Sequence, residues 1–162
     1  MVDRLAATRA WDAVIPFPKM QVGVQVDGDR LRTIHYLPPD APLVAPRNAL
    51  AERAVRQLER YREDADAPFE LPLALRGSPF QQRVWDALVR IPRGTVKTYG
   101  ALAREIGGVA RAVGQACGEN RLPIVIPCHR VVAANGLGGF AHARDGYLLD
   151  AKRWLLLHER AI

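Results

Sequence analysis

Cysteine is scarce in this chain: 162 residues carry two thiols, Cys117 and Cys128. Two thiols rule out a disulfide framework as the source of stability, and both are expected to be reduced. Histidine is nearly as rare, four in all, and neither C-x-x-C nor H-x-x-x-H spacing occurs, so no metal is expected. No apolar run approaches the roughly 18 residues needed to cross a bilayer. The segment "MVDRLAATRAWDAV" lacks the apolar core of a signal peptide. The expectation is a cytoplasmic protein with no membrane partner. Internal repeats and low-complexity tracts are also missing.

What is present is the composition of a globular protein, 49% hydrophobic and 25% charged, with enough length for a real core. The net charge of +6 is unevenly spread. Residues 1–75 hold 10 Lys/Arg against 11 Asp/Glu, a balance of −1, whereas residues 76–162 hold 13 against 6, a balance of +7. Between Asp86 and Glu119 the single acid is Glu105, among Arg90, Arg93, Lys97, Arg104 and Arg111. Such asymmetry points to a polyanion as partner of the C-terminal half; the plain alternative is a solvated basic surface.

The charge change coincides with a change in patterning. "MQVGVQVDGDRLRTIHYL" alternates Val22, Val24 and Val26 with polar or small residues around a "DGD" turn, which predicts a hairpin. A proline-rich connection (37–46) leads to a helix over 47–63, with Leu50, Ala54, Leu58 and Tyr61 on one face. Residues 64–79 look like a weakly structured crossing, so two domains are expected, 1–75 and 76–162. In the second, "PFQQRVWDALVRIP" predicts a helix with Pro79 in its first turn and Phe80, Val84, Leu88 and Ile91 on one face. "GTVKTYGALAREIGG" offers Thr98 as a cap and Gly107-Gly108 as a stop, and "VARAVGQACGENR" a small-residue helix ending near Gly118. Two short helices across a glycine turn outline a helix-turn-helix. A last helix runs from about Tyr147 to Arg160, with Leu148, Ala151 and Leu155 inward and Trp154 expected in the core.

The chemistry turns on "PIVIPCHRVVAANG". A free thiol ionises near pH 8.5, so a nucleophilic cysteine needs a base or a positive field. His129 adjoins Cys128, but strand neighbours point to opposite faces. Pro127 interrupts regular pairing, so a strand over the apolar lead is expected to end there. A bend could then bring thiol and imidazole to one side, directly or through a water. The alternative is a buried structural cysteine beside a surface histidine.

"IPCHRVV", together with "SPFQQRVWDALVRIPRGTVKTYGALA", "ARAVGQACGEN" and "KRWLLLHE" in the same order, resembles the methylated-DNA–protein-cysteine methyltransferase family. The likeness covers most of residues 78–160. It implies an α/β protein: a small N-terminal domain of antiparallel sheet plus helix, in a supporting role, and a mostly helical C-terminal domain carrying the helix-turn-helix and the acceptor thiol. It further implies irreversible, single-turnover transfer of an alkyl group, chiefly methyl, from O6-alkylguanine in DNA to Cys128, without a cofactor. By the same resemblance His129 takes the thiol proton through a water, Glu159 orients His129, and Asn120 braces the site. Arg111 fills the place of the flipped base, Tyr99 helps to rotate the nucleotide, and the Val131 carbonyl meets the base. Phe140 and Ala141 match the start of a loop that closes over it. The implied partner is double-stranded DNA containing O6-alkylguanine, bound by a monomer through the minor groove.

Three features depart from the family pattern. The turn in "EIGGVARAV" is about two residues short, Arg121 replaces a proline, and His142 and Ala143 stand where glycines are expected. The alternatives to repair are a non-catalytic alkylguanine-sensing DNA-binding protein, which would lack the cysteine, and a cysteine hydrolase using Cys128 and His129. Cys117 is expected to be a small core residue.

Overall fold

A computed structural model describes residues 10–138 and 146–162. The architecture is α/β, and the chain divides between Leu75 and Arg76 into two compact units.

The first unit is a three-stranded antiparallel sheet in the order β1-β2-β3 with one helix. The strands are β1 (Ala13–Pro16), β2 (Gln21–Asp27) and β3 (Arg30–Leu37). The β2–β3 hairpin is the one the alternation predicts, with Gly28 in the left-handed conformation at its turn (φ 63°) and Asp27 paired with Arg30. Strand β1 has no counterpart in the sequence reading. Its four residues end in proline, too few for a period-2 signal, and its place comes from pairing with β2. Gly23 is required by contact: a Cβ there would lie 2.7 Å from the Trp11 ring.

The helix, α1 (Ala49–Glu63), starts two residues later than predicted because Asn48 accepts the Ala51 amide at 2.8 Å and ends the extended chain there. Its buried stripe is Ala51, Ala54, Val55, Leu58 and Tyr61. Leu50, placed on that face by the sequence, lies at its half-buried margin. The segment taken for a loose crossing is tied down. Leu31 donates to Pro72 O at 2.7 Å, Ala74 donates to Leu31 O at 2.9 Å, and Gln57 exchanges two hydrogen bonds with the Glu70 backbone. It thereby covers part of the β3 edge.

The second unit begins with α2 (Pro79–Val89), opened by a capping box in which Ser78 and Gln81 satisfy each other's backbone amides. Its Trp85 donates to Ala116 O at 3.0 Å from a buried position. Ala116 belongs to α4 (Ala110–Gly118), which follows α3 (Tyr99–Ile106) across the left-handed Gly107 (φ 79°). Thr98 caps α3 as its sequence predicts, accepting the Ala101 amide at 3.0 Å. Gly108 leaves room for Phe80, whose ring would stand 2.9 Å from a Cβ. The helix-turn-helix outline is thus present.

Two further elements were invisible in the sequence: β4 (Lys97–Thr98) and β5 (Val131–Val132) pair in parallel, Lys97 with Val131 and Thr98 with Val132. The last helix, α5 (Tyr147–His158), buries Ala151, Lys152, Leu155 and Leu156, while Leu148 is only half-buried. Trp154 is not core. It is half-exposed and stacks on His158 with ring centroids 4.6 Å apart. Among the described residues no helix is long and apolar enough to cross a membrane, and no group of three or more His, Cys, Asp or Glu could hold a metal.

Candidate functional site

No strand leads into Cys128. Residues 123–126 form a tight turn instead, because Asn120 closes it from both ends. Its Oδ1 accepts the Leu122 amide at 2.9 Å, and its Nδ2 donates to Ile126 O at 2.9 Å. Ile126 N donates back to Leu122 O at 2.9 Å, and Ile124 is held at φ 73°. A β-branched residue in the left-handed region costs on the order of 1–3 kcal/mol and persists only where its surroundings over-determine it. Pro127 (φ −81°, ψ 68°) is the centre of an inverse γ-turn, closed by Cys128 N donating to Ile126 O at 2.8 Å. The chain then passes into a single 3₁₀ turn, Cys128–Arg130, and into β5. The bend at Pro127 expected from the sequence is real, but a turn precedes it.

The 3₁₀ turn places Cys128, His129 and Arg130 in a row, all buried. His129 has no exposed surface, and its Nε2 lies 2.8 Å from Glu159 Oε2. Arg130 donates to the same carboxylate twice, Nε to Oε1 at 2.9 Å and Nη2 to Oε2 at 3.1 Å, and Nη1 donates to Ile91 O at 2.7 Å. Glu159 caps the end of α5, buried and not on the surface where a helix-terminal carboxylate usually lies. Burial holds the His129 imidazolium below the usual histidine range, with Glu159 opposing. The neutral ring therefore carries its proton on Nε2, which donates a hydrogen bond to the carboxylate. Nδ1 is left as its basic nitrogen, with no hydrogen-bond partner among the described residues.

Cys128 keeps 7% of its surface exposed. Burial pushes its thiol up to about 11, against the pull of the Asn120 side chain, the Lys152 charge and its own backbone amide. Cys117, on α4, is raised by burial as well and by the nearby Cys128, as a core thiol should be. Lys152 is fully buried. Its ammonium donates to Val131 O at 2.9 Å and Leu137 O at 2.6 Å and lies 5.9 Å from the Tyr99 ring centre. Burial lowers it to about 8, with the two thiols opposing. A desolvated cation near a desolvated thiol favours the thiolate.

Of the residues singled out from the sequence, the structure brings together Cys128, His129, Glu159 and Asn120. The β4–β5 pairing carries Tyr99 to the same place: it follows Thr98, is half-buried, and is raised by burial and then by Cys117 and Cys128. Gly138 (φ 74°) packs against its ring. Val131 is fully buried, and its carbonyl already serves Lys152, leaving one lone pair. Arg111 lies elsewhere in character, exposed on the first turn of α4 with no ion pair to a described residue. Phe140 and Ala141 fall outside the described residues.

Arg130 and Lys152 were missed. A signal for Lys152 was available: 148, 151, 152, 155, 156 and 159 share one helical face, so Lys152 and Glu159 fall on an apolar stripe where a solvated charge does not belong. Arg130 was quoted within the Cys-His-Arg run, but its partner lies 29 residues away.

A buried thiol, a histidine–carboxylate pair and a basic pair of short helices in one unit give the arrangement of a cysteine site on a helix-turn-helix scaffold. Residues 79–161 match the family model described as 6-O-methylguanine DNA methyltransferase, DNA binding domain. A methylated-DNA–protein-cysteine methyltransferase of Mycolicibacterium paratuberculosis is 49% identical over 110 residues, 66% of this chain and 64% of that protein. The constitutive one of Bacillus subtilis is 46% identical over 114 residues, 68% of this chain and 66% of that protein. The matched stretch thus spans about two thirds of these relatives' length. The fold is similar to the crystal structure of Mycobacterium tuberculosis O6-methylguanine methyltransferase, at TM-score 0.75 and 34% identity over 91% of each chain. It is also similar to the structure from the same organism solved in complex with DNA, at TM-score 0.74 and 36% identity, again over 91% of each. The chain belongs to the methylated-DNA–protein-cysteine methyltransferase family.

Proposed function

We propose that this protein repairs DNA by moving an alkyl group, chiefly methyl, from the O6 of guanine onto Cys128. The observation that carries the reading is the hydrogen bond between His129 Nε2 and Glu159 at 2.8 Å. It commits the imidazole to one tautomer and leaves Nδ1, on the residue after the thiol, free to accept a proton.

His129 Nδ1 takes the thiol proton through a water, and the sulfur attacks the alkyl carbon in line with the O6 bond. The S–C bond forms as the C–O6 bond breaks. The electron pair of that bond stays with guanine, which takes up a proton and leaves as the ordinary base. Arg130 and Glu159 hold the base in place, and Asn120 and Lys152 favour the developing thiolate. Both reactants bring the electrons they need, so the step requires no cofactor. The thioether is not cleaved by water at neutral pH, which makes one turnover per molecule the expected stoichiometry.

A base inside a duplex is out of reach of a thiol with 7% exposure, so the guanine must be flipped out. In this reading Arg111 fills the vacated stack, Tyr99 and the free lone pair of Val131 O meet the base, and α4 enters the minor groove of double-stranded DNA. The small residues Ala110, Ala112 and Gly114 suit that approach. The protein acts as a monomer in the cytoplasm, and the first unit supports the second.

The test is mass spectrometry after incubation with a duplex containing O6-methylguanine. One methyl group should be gained per molecule, on the peptide containing Cys128, and Cys128→Ala should gain none. Binding without a mass gain would favour a damage sensor, and a label that survives Cys128→Ala would refute the assignment.

A further inference from the structure

Val109 sits where stability has been left unclaimed twice over. It is the N-cap of α4, with extended backbone (φ −115°, ψ 151°) and no side-chain bond to the helix's first amides. Asn48, Ser78 and Thr98 hold the same position of α1, α2 and α3, and each accepts an amide three residues on. The residue is also 66% exposed, the highest value among the exposed large apolar residues of the described chain. Single exposed apolar residues are ordinary on a protein surface. A valine that is both exposed and in place of a cap is one the fold does not account for.

Its surroundings say what could cover it. Ala110 and Arg111 follow it, both exposed, and at Gly114, one turn along, nothing lies within 4 Å of a Cβ position. Arg104, Arg111 and Arg121 are exposed and make no ion pair with a described residue. An apolar tip on an open, small-residue helix surface, two residues before the exposed Arg111 and in the basic half of the chain, complements a polyanion that has apolar ring faces inside it. Valine is suited to such a contact because its side chain has one strongly preferred rotamer, so little freedom is lost on insertion. A serine or aspartate would cap the helix better but would have to be dehydrated to enter the stack.

We infer that Val109 is an apolar wedge, pressed against the bases beside the flipped nucleotide and acting with Arg111 to hold the gap open. The inference rests on the DNA-repair reading and adds to it a second unstacking residue, with stability given up for insertion.

Rates of alkyl transfer to Cys128 are measured with duplex O6-methylguanine and with free O6-benzylguanine, alongside thermal melting. Val109→Ser should raise the melting temperature by about 2–4 °C through the new cap. It should also lower the ratio of duplex to free-base rate by about five- to tenfold, the loss expected from a partly buried valine. Val109→Leu, apolar but not capping, should hold that ratio within about twofold of wild type with no rise in melting temperature. An unchanged ratio for Val109→Ser, or equal losses on both substrates, would overturn the wedge. A wild-type protein that transfers nothing to Cys128 would sink the repair reading itself, and the wedge with it.

Discussion

Replacing Glu159 by glutamine tests the arrangement at its most committed point. The two carboxylate oxygens accept three hydrogen bonds, at 2.8, 2.9 and 3.1 Å, from His129 and Arg130. The carboxylate and imidazole are fully buried, and the guanidinium side chain is 9% exposed. An amide of the same shape offers one acceptor and one NH₂. With the NH₂ toward Arg130 Nε, donor faces donor; with it toward His129, the ring must accept at Nε2 and carry its proton on Nδ1. The first orientation leaves a buried cation half-paired, and the second removes the base. Breaking a buried charged pair from one side costs about 3–5 kcal/mol. At roughly 2–4 °C per kcal/mol, the melting temperature should fall by about 6–20 °C. The single-turnover rate of alkyl transfer to Cys128, followed by mass well below the variant's melting point, should drop by about 10²–10⁴-fold. The double variant Arg130→Met/Glu159→Gln removes both charges, so most of the stability should return while the rate stays low. A Glu159→Gln protein that transfers alkyl within threefold of wild type would refute the tautomer argument.

Three further outcomes are expected. Arg111→Ala should slow repair in duplex DNA more than reaction with free O6-benzylguanine, because only the duplex must be unstacked; equal losses would count against a stack-filling role. Affinity for undamaged duplex should fall with salt at a slope of about −3 in log–log terms if Arg90, Arg104 and Arg121 each meet a phosphate, and a flat response would put the DNA elsewhere. Folding stability should decline as pH rises from about 8.5 to 10. Burial holds Cys128 up to about 11 and Cys117 higher, against about 8.5 unfolded, so their contribution is whole below pH 8.5 and is lost above it. Lys152, lowered to about 8 against about 10.4 unfolded, acts in the opposite direction. The folded state then holds a net one proton more, and denaturant titrations should show stability falling with pH, by on the order of 1 kcal/mol per unit. A stability that rises over that range would show the thiols to be solvated.

Local chemistry was legible wherever one short segment carried the whole signal. The β2–β3 alternation, Pro79 in the first turn of α2, the cap at Thr98 and the glycine stop at Gly107 are determined within a few residues, and the structure follows them. The same holds for the reactive run Pro-Cys-His-Arg, whose ordered companions carry the family likeness. Failures fell where a residue's state depends on something distant. Ile124, Val125 and Ile126 have the composition of a strand, yet Asn120 bonds both ends of the segment and folds it into a turn against that propensity. Trp154 has the composition of core, yet it is only half-buried and stacks on His158.

The sequence by itself determined that a thiol, an imidazole and a basic pair of short helices belong to one C-terminal unit, because these follow from residue type and spacing along a single stretch. Only the tertiary structure decided which nitrogen of His129 is basic, that Arg130 and His129 share one carboxylate, and that Lys152 sits in the interior near the thiol. Those are properties of a low-dielectric interior, where charged and polar groups from residues about 20 to 40 positions apart must satisfy one another because water cannot.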